Sequence, residues 1–268
     1  LVGISSGMST MQIVPDGSRV RFYHFPDGTV QEAKLIDSAS IAPPLSVSDP
    51  GPRSVVFDRN ARFCAVNHAD SRSISVWDLD ARCKVSTLIC PFATGHVVAF
   101  SSDGLFLAAG NTEALEVLIW ETRTGKVVLE TTVENENDAI ASGKKYARIN
   151  SLAFSRNGRR LAVGTRDRAT ILEIPGGDRP RQFVNGYASF GSGELLGISN
   201  VAFVGANDSQ LITAGLIDIR VKTRAELLLH DLQNLTPPRL LANDLHIYEP
   251  FAVSQNGCLL YTSDAADE

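Results

Sequence analysis

Residue types able to do chemistry are sparse in this chain and scattered along it. His68 and Asp70 stand two apart, which on a strand puts both on one side and would begin a metal site. No third ligand is close by: the other histidines are His24, His96, His230 and His246. Ser142-Gly143-Lys144-Lys145 has the Ser-x-x-Lys spacing of some acyl enzymes, but it lies in a polar stretch without helical periodicity or partner motifs. Thr124-Gly125-Lys126 lacks the upstream glycine of a phosphate-binding loop and reads as a hairpin turn. Asn207-Asp208-Ser209 and Asn234-Leu235-Thr236 fit the glycosylation sequon, which matters only in a secreted protein. These fragments assemble no catalytic, cofactor-binding or metal site. The chain reads as a non-enzyme for which no cofactor is expected.

The elements that would have to position any site are clearer, because a spacing recurs three times. An aromatic residue is followed by an acid at 13 residues and a large apolar residue at 20: Phe57, Asp70, Trp77; Phe100, Glu113, Trp120; Phe154, Asp167, Ile174. Polar turns follow the aromatics, as in Ser101-Ser102-Asp103-Gly104 and Ser155-Arg156-Asn157-Gly158. Short apolar runs come next, Leu107-Ala108-Ala109-Gly110 and Leu161-Ala162-Val163-Gly164. Each unit thus reads as strand, tight turn, strand, turn, strand, with Gly, Asn or Asp supplying positive backbone torsions. Phe57 to Phe100 is 43 residues, the size of one four-stranded propeller blade of about 40 to 45 residues. No long stretch holds the 3.6-residue apolar period of helical solenoids.

Val76-Trp77-Asp78-Leu79, Leu118-Ile119-Trp120-Glu121 and Val98-Ala99-Phe100-Ser101-Ser102-Asp103-Gly104 resemble strands of the WD-repeat β-propeller family. Weaker copies begin at Phe203, whose Leu229-His230-Asp231-Leu232 falls where a Trp-Asp pair would, and at Val253. Phe22-Tyr23-His24-Phe25 before Pro26-Asp27-Gly28 is similar to the exit of a third strand. The resemblance implies an all-β fold of four-stranded antiparallel blades, incomplete here, with about four full blades and partial ones at both ends. In that family a Gly-His pair precedes the first strand, and its His bonds with the turn acid and the Trp. Gly95-His96 is only 4 residues before Phe100, too close for that pair. Asp70, Glu113 and Asp167 are therefore open to a second role as plain turn caps. The expected openings of the first strands, Ser54, His96, Asn150 and Asn200, hold no repeated carboxylate. A propeller enzyme such as a metal-dependent hydrolase would want one; that enzyme, or the sensor portion of a kinase or ATPase multidomain protein, is the alternative reading.

The last eleven residues, Cys258 to Glu268, resemble a translated sequencing-library adapter. The domain reading is accordingly a propeller fragment over 1–257 and a non-native tail over 258–268. With Leu1 rather than Met in front, a longer parent is expected. Leu260 nevertheless follows Val253 by 7 residues, as Leu107 follows Phe100, which suits a hairpin. Setting aside Asp264, Asp267 and Glu268, the net charge of −5 becomes −2. That balance draws the chain to neither nucleic acid nor anionic membrane. Cys64, Cys83 and Cys90 remain, an odd count without paired spacing, which argues against a disulfide framework or a zinc site. Cys64 reads as a small buried hydrophobe. No run of 18 apolar residues occurs; membrane insertion is not expected, and a cytoplasmic setting is favoured.

The repeats also grow unevenly. Phe100 to Phe154 is 54 residues and Phe154 to Phe203 is 49, with the excess in the connections between blades; a further insertion spans 216–224. In an up-and-down blade these connections and the second-to-third turn emerge at the same end. Insertions gathered on one face of a repeat protein mark a binding surface. Lys144, Lys145, Tyr146, Arg148, Phe183, Tyr187, Phe190 and Arg220 mix aromatics with cations there. That mixture suits a protein or peptide partner, and the expected function is a non-catalytic interaction platform.

Overall fold

Gly-bearing turns between short alternating segments fold as antiparallel strands. The computed structural model describes residues 8–24, 28–34, 42–47, 52–68, 72–92, 94–111, 115–133, 149–165, 168–174, 181–184, 194–218, 223–234, 236–245, 252–253 and 260–261. It holds five four-stranded sheets and one two-stranded sheet. The first comprises β1 (Met8–Ile13), β2 (Arg19–His24), β3 (Thr29–Lys34) and β4 (Leu45–Ser46). The second comprises β5 (Pro52–Phe57), β6 (Phe63–His68), β7 (Ser73–Asp78) and β8 (Cys83–Ile89). The third has β9 (Thr94–Phe100), β10 (Phe106–Asn111), β11 (Glu116–Glu121) and β12 (Val127–Thr132). The fourth has β13 (Ile149–Phe154), β14 (Arg160–Thr165), β15 (Arg168–Glu173) and β16 (Arg181–Val184). The fifth has β17 (Glu194–Val204), β18 (Gln210–Asp218), β19 (Thr223–Asp231) and β20 (Arg239–Leu245). β21 (Ala252–Val253) pairs with β22 (Leu260–Tyr261), Val253 opposite Leu260. A single 3-10 turn, Ala206–Asp208, is the one helical element among the described residues, and no described helix is long and apolar enough to cross a membrane.

Burial explains the layering. β6 is buried at all six positions, and β10, β14, β7, β11 and β15 nearly so, whereas β8 and β12 are largely exposed. A strand apolar on both faces needs cover on both sides; the sheets are propeller-like, and within each unit they pack face on face, with the fourth strands β8 and β12 more exposed at the edge. The chain divides into two compact units, Leu1–Ala109 with Leu118–Glu130, and Gly110–Val117 with Thr131–Glu268. In the first unit, Tyr23, Val30 and Val47 pack on Val55, Cys64 and Val66, while Phe63, Ala65, Ile74 and Val76 pack on Leu107, Ala109, Leu118 and Trp120. In the second, Ala162, Ala169 and Ile171 pack on Ile198, Val201, Phe203, Leu211 and Leu228. Cys64 is fully buried in its cluster, as expected of a small hydrophobe, and burial pushes its thiol pKa upward.

Register corrects two readings made from spacing. Phe57 pairs with Cys64 and Cys64 with Trp77; Phe154 pairs with Leu161 and Leu161 with Leu172. Leu172, not Ile174, therefore stands where Trp77 stands. Ile174 corresponds to Leu79 and Thr122: their N–H groups donate to the carbonyls of Arg159, Arg62 and Leu105 at 2.7, 2.8 and 2.8 Å. The cause is the β14–β15 connection, two residues against four between β6 and β7, which shifts the 20-residue coincidence by two. The second correction concerns the first sheet. The Val14 N–H donates to Arg19 O at 2.9 Å, as Ser101 does to Phe106 O and Ser155 to Arg160 O. Ile13 thus takes the place of Phe57, and Phe22-Tyr23-His24 lies on a second strand, not a third. The misleading signal was a shared turn: Gly28 N–H bonds His24 O at 3.1 Å as Gly125 N–H bonds Glu121 O at 2.9 Å.

Candidate interaction surface

Because each strand reverses direction, the start of a first strand, the second-to-third turn and the end of a fourth strand share one end of a sheet. That is where the expected insertions attach. Lys144, Lys145, Tyr146, Arg148, Tyr187, Phe190 and Arg220 lie outside the described residues, as do Asp70, Glu113 and Asp167. Phe183 lies on β16, its backbone opposite Ala169, so it belongs to a fourth strand and not to the connection beyond it. The insertion at 216–224 is ordered pairing where it is described. β18 and β19 continue past the repeat through Leu216 opposite Ala225, Ile217 opposite Arg224 and Asp218 opposite Thr223. β17 is lengthened beside them, Glu194 opposite Asp218, with register shifts between Leu195 and Gly197 and between Ile198 and Asn200.

The opposite ends of the sheets carry the first-to-second and third-to-fourth turns, and here polar side chains build the backbone. Ser101 Oγ accepts from the Phe106 N–H at 2.9 Å and donates to Asp103 at 2.6 Å; Ser155 and Asn157 repeat this around the Arg160 N–H. In the second sheet one carboxylate does both jobs: Asp58, fully buried, accepts from Phe63 N–H at 2.6 Å and Asn60 N–H at 3.2 Å. Burial raises the Asp58 pKa, against those hydrogen bonds. Arginines tie turn to turn. Arg21, 6% exposed, donates to Glu32 at 3.1 Å, Asp80 at 2.7 Å and the Ala61 carbonyl. Arg160 donates to the Asn207 and Asp208 carbonyls and covers the Phe203 ring. Beside Arg21, a cleft of about 20 Å³ edged by Val30, Pro43, Leu79 and Arg82 has room for about one water.

Spacing gave no hint of one cluster at this end, because its members are far apart in sequence. Asp78 follows Trp77 and is 3% exposed. Its Oδ1 accepts from the Asp80 and Ala81 N–H groups at 3.1 and 3.0 Å. Its Oδ2 accepts from Arg62 Nη2 at 3.1 Å and Arg123 Nη2 at 3.4 Å. Burial opposes the charge, but the Ala81 N–H and the two guanidiniums outweigh it and hold the Asp78 pKa below its ordinary value. Both guanidinium carbons stand 5.3 Å from the centre of the Phe63 ring. In the fifth sheet His230 pairs with Leu211 and so occupies the Trp77 position, as the Leu-His-Asp-Leu reading expects. Its Nε2 meets Thr213 Oγ1 at 2.9 Å, and burial lowers its pKa to about 4. Among the described residues no three His, Cys, Asp or Glu side chains converge as a metal site.

No family profile and no curated protein matches the chain. It is similar to a solved structure, Kuenenia stuttgartiensis hydrazine synthase, at a TM-score of 0.67 and 12% identity, over 98% of this chain and 76% of that one. At that identity the likeness speaks for the fold alone. In all, 1273 solved chains match; so common an architecture leaves function to be argued from particular surfaces.

Proposed function

We propose that the chain is a WD-repeat-type β-propeller fragment, part of a larger protein, acting as a non-catalytic platform for a protein or peptide partner. The contact set is Lys144, Lys145, Tyr146, Arg148, Phe183, Tyr187, Phe190 and Arg220. What supports the reading most is the prolonged β18–β19 hairpin, whose added pairs run from Leu216–Ala225 to Asp218–Thr223. Extra ladder pairs give a projecting arm the rigidity a binding surface needs. The arm rises at the end of its sheet to which the inter-sheet connection also attaches, and the aromatic and basic residues of the connections supply anchors and rim charge.

Affinity capture from lysate of the source, comparing the wild type with the Lys144→Glu, Lys145→Glu double variant, tests the reading. The wild type is expected to retain a saturable partner that the variant captures at least about tenfold less well. The thermal midpoint should stay within about 2 °C, since exposed charges add little stability. Equal capture by both, or a parallel loss of folding, overturns it.

A further inference from the structure

We infer that Arg62 and Arg123 form a clamp for a carboxylate of an acidic peptide segment, at the sheet ends opposite the insertions. Two guanidiniums converge on one oxygen, Asp78 Oδ2, while Asp78 Oδ1 is held by its own turn. The other acids of these turns face elsewhere. Asp58 caps the Phe63 and Asn60 N–H groups, Asp103 takes Ser101 Oγ and the Leu105 N–H, and Glu121 takes Thr124 Oγ1. Two positive charges thus share one carboxylate.

Geometry makes the pair a receptor. The side chains are 47% and 52% exposed, yet each is fixed at two points, the buried carboxylate and the Phe63 ring. Stacking on a ring leaves the guanidinium edge free to donate. Arg62 Nη1 and both Nε and Nη1 of Arg123 make no hydrogen bond among the described residues. A carboxylate arriving from solvent therefore meets the unengaged donors of two guanidiniums already held in place, Arg62 through Nε and Nη2 and Arg123 through Nη2. Leu105 adds an apolar step: it is 54% exposed, and its carbonyl accepts from the Thr122 N–H next to Arg123. An acidic residue with an apolar neighbour fits this arrangement better than a lone inorganic anion, which would leave Leu105 uncovered.

Titration of the full chain into a fluorescein-labelled peptide, Glu-Glu-Leu-Glu-Glu, followed by anisotropy, tests the clamp. Arg62→Gln and Arg123→Gln should each weaken binding by about tenfold or more, and Arg123→Lys by an intermediate factor, since it keeps charge and loses the fork. Arg159→Gln, an exposed arginine on another turn, should change binding by less than about twofold. A thermal scan of each variant verifies folding, and the Lys variant carries the test if a Gln variant unfolds. The clamp is overturned by equal weakening in Arg159→Gln, or by no saturable binding to the wild type below about 1 mM. It is also overturned if inorganic phosphate competes as strongly as unlabelled peptide, which would make this a free-anion site.

Discussion

Replacing Gly104 and Gly17 by alanine, one at a time, separates backbone strain from packing between sheets. The two glycines occupy equivalent turns with φ of +71° and +70°, so each alanine incurs the left-handed penalty of about 1 to 2 kcal/mol. Their surroundings differ. A Cβ on Gly17 meets nothing within 4 Å, whereas on Gly104 it meets Phe63 Cδ2 at 3.0 Å and Asp58 Oδ2 at 3.3 Å. Neither neighbour yields easily: Phe63 is 5% exposed and lies under two guanidiniums, and Asp58 is locked by its own turn. Overpacking of this kind adds about 1 to 3 kcal/mol, for a total of about 2 to 5 kcal/mol at Gly104. Urea unfolding at pH 7 measures both variants, with an unchanged m-value showing that the folded state is retained. Equal losses at the two positions would refute the packing of the third sheet's first turn on the Phe63 ring.

The two tryptophans should part company. Trp120 is 1% exposed and its truncation to alanine should cost about 3 to 5 kcal/mol, while half-buried Trp77, whose buried indole N–H has no acceptor among the described residues, should cost about 1 to 3 kcal/mol in the same urea assay. His230 predicts an acid dependence. Burial lowers its folded pKa to about 4 from the ordinary histidine value of 6.5, so the unfolded chain binds the proton first. Stability is complete above pH 6.5 and declines as pH falls toward 4, by at most about 3 kcal/mol. His230→Leu should flatten that decline in a pH series of urea midpoints; an unchanged slope would show that His230 is solvated.

Turn chemistry was legible in the sequence because positive φ leaves few choices: Gly104, Gly125 and Gly158 all sit near +70°. Even the exception has a cause. Ala61 takes φ 55° in the second sheet's turn, where the buried Asp58 carboxylate bonds two N–H groups of the same turn. The Leu-His-Asp-Leu reading placed His230 rightly because the β18–β19 insertion adds pairs without breaking the ladder. Spacing failed at Ile174 since a shortened turn moved Leu172 into the tryptophan position. It failed at the first sheet because Ile13 and Val14 replace the aromatic and polar residues that announce the turn elsewhere. The Arg62–Asp78–Arg123 cluster was illegible for a different reason: it joins two sheets, and no local pattern encodes such a meeting.

Residue-resolved amide hydrogen exchange on the whole chain tests the central claim, that one four-stranded unit is repeated five times in the register described. Val14, Asp58, Ser101 and Ser155 each donate to the carbonyl five residues on, and their amides should be protected to a similar degree, with the second strands β2, β6, β10 and β14 slower still. Exchange of Val14 and β2 at the rate of an unfolded peptide, while β6 and β10 stay protected, would contradict the assignment of the first sheet as a full repeat.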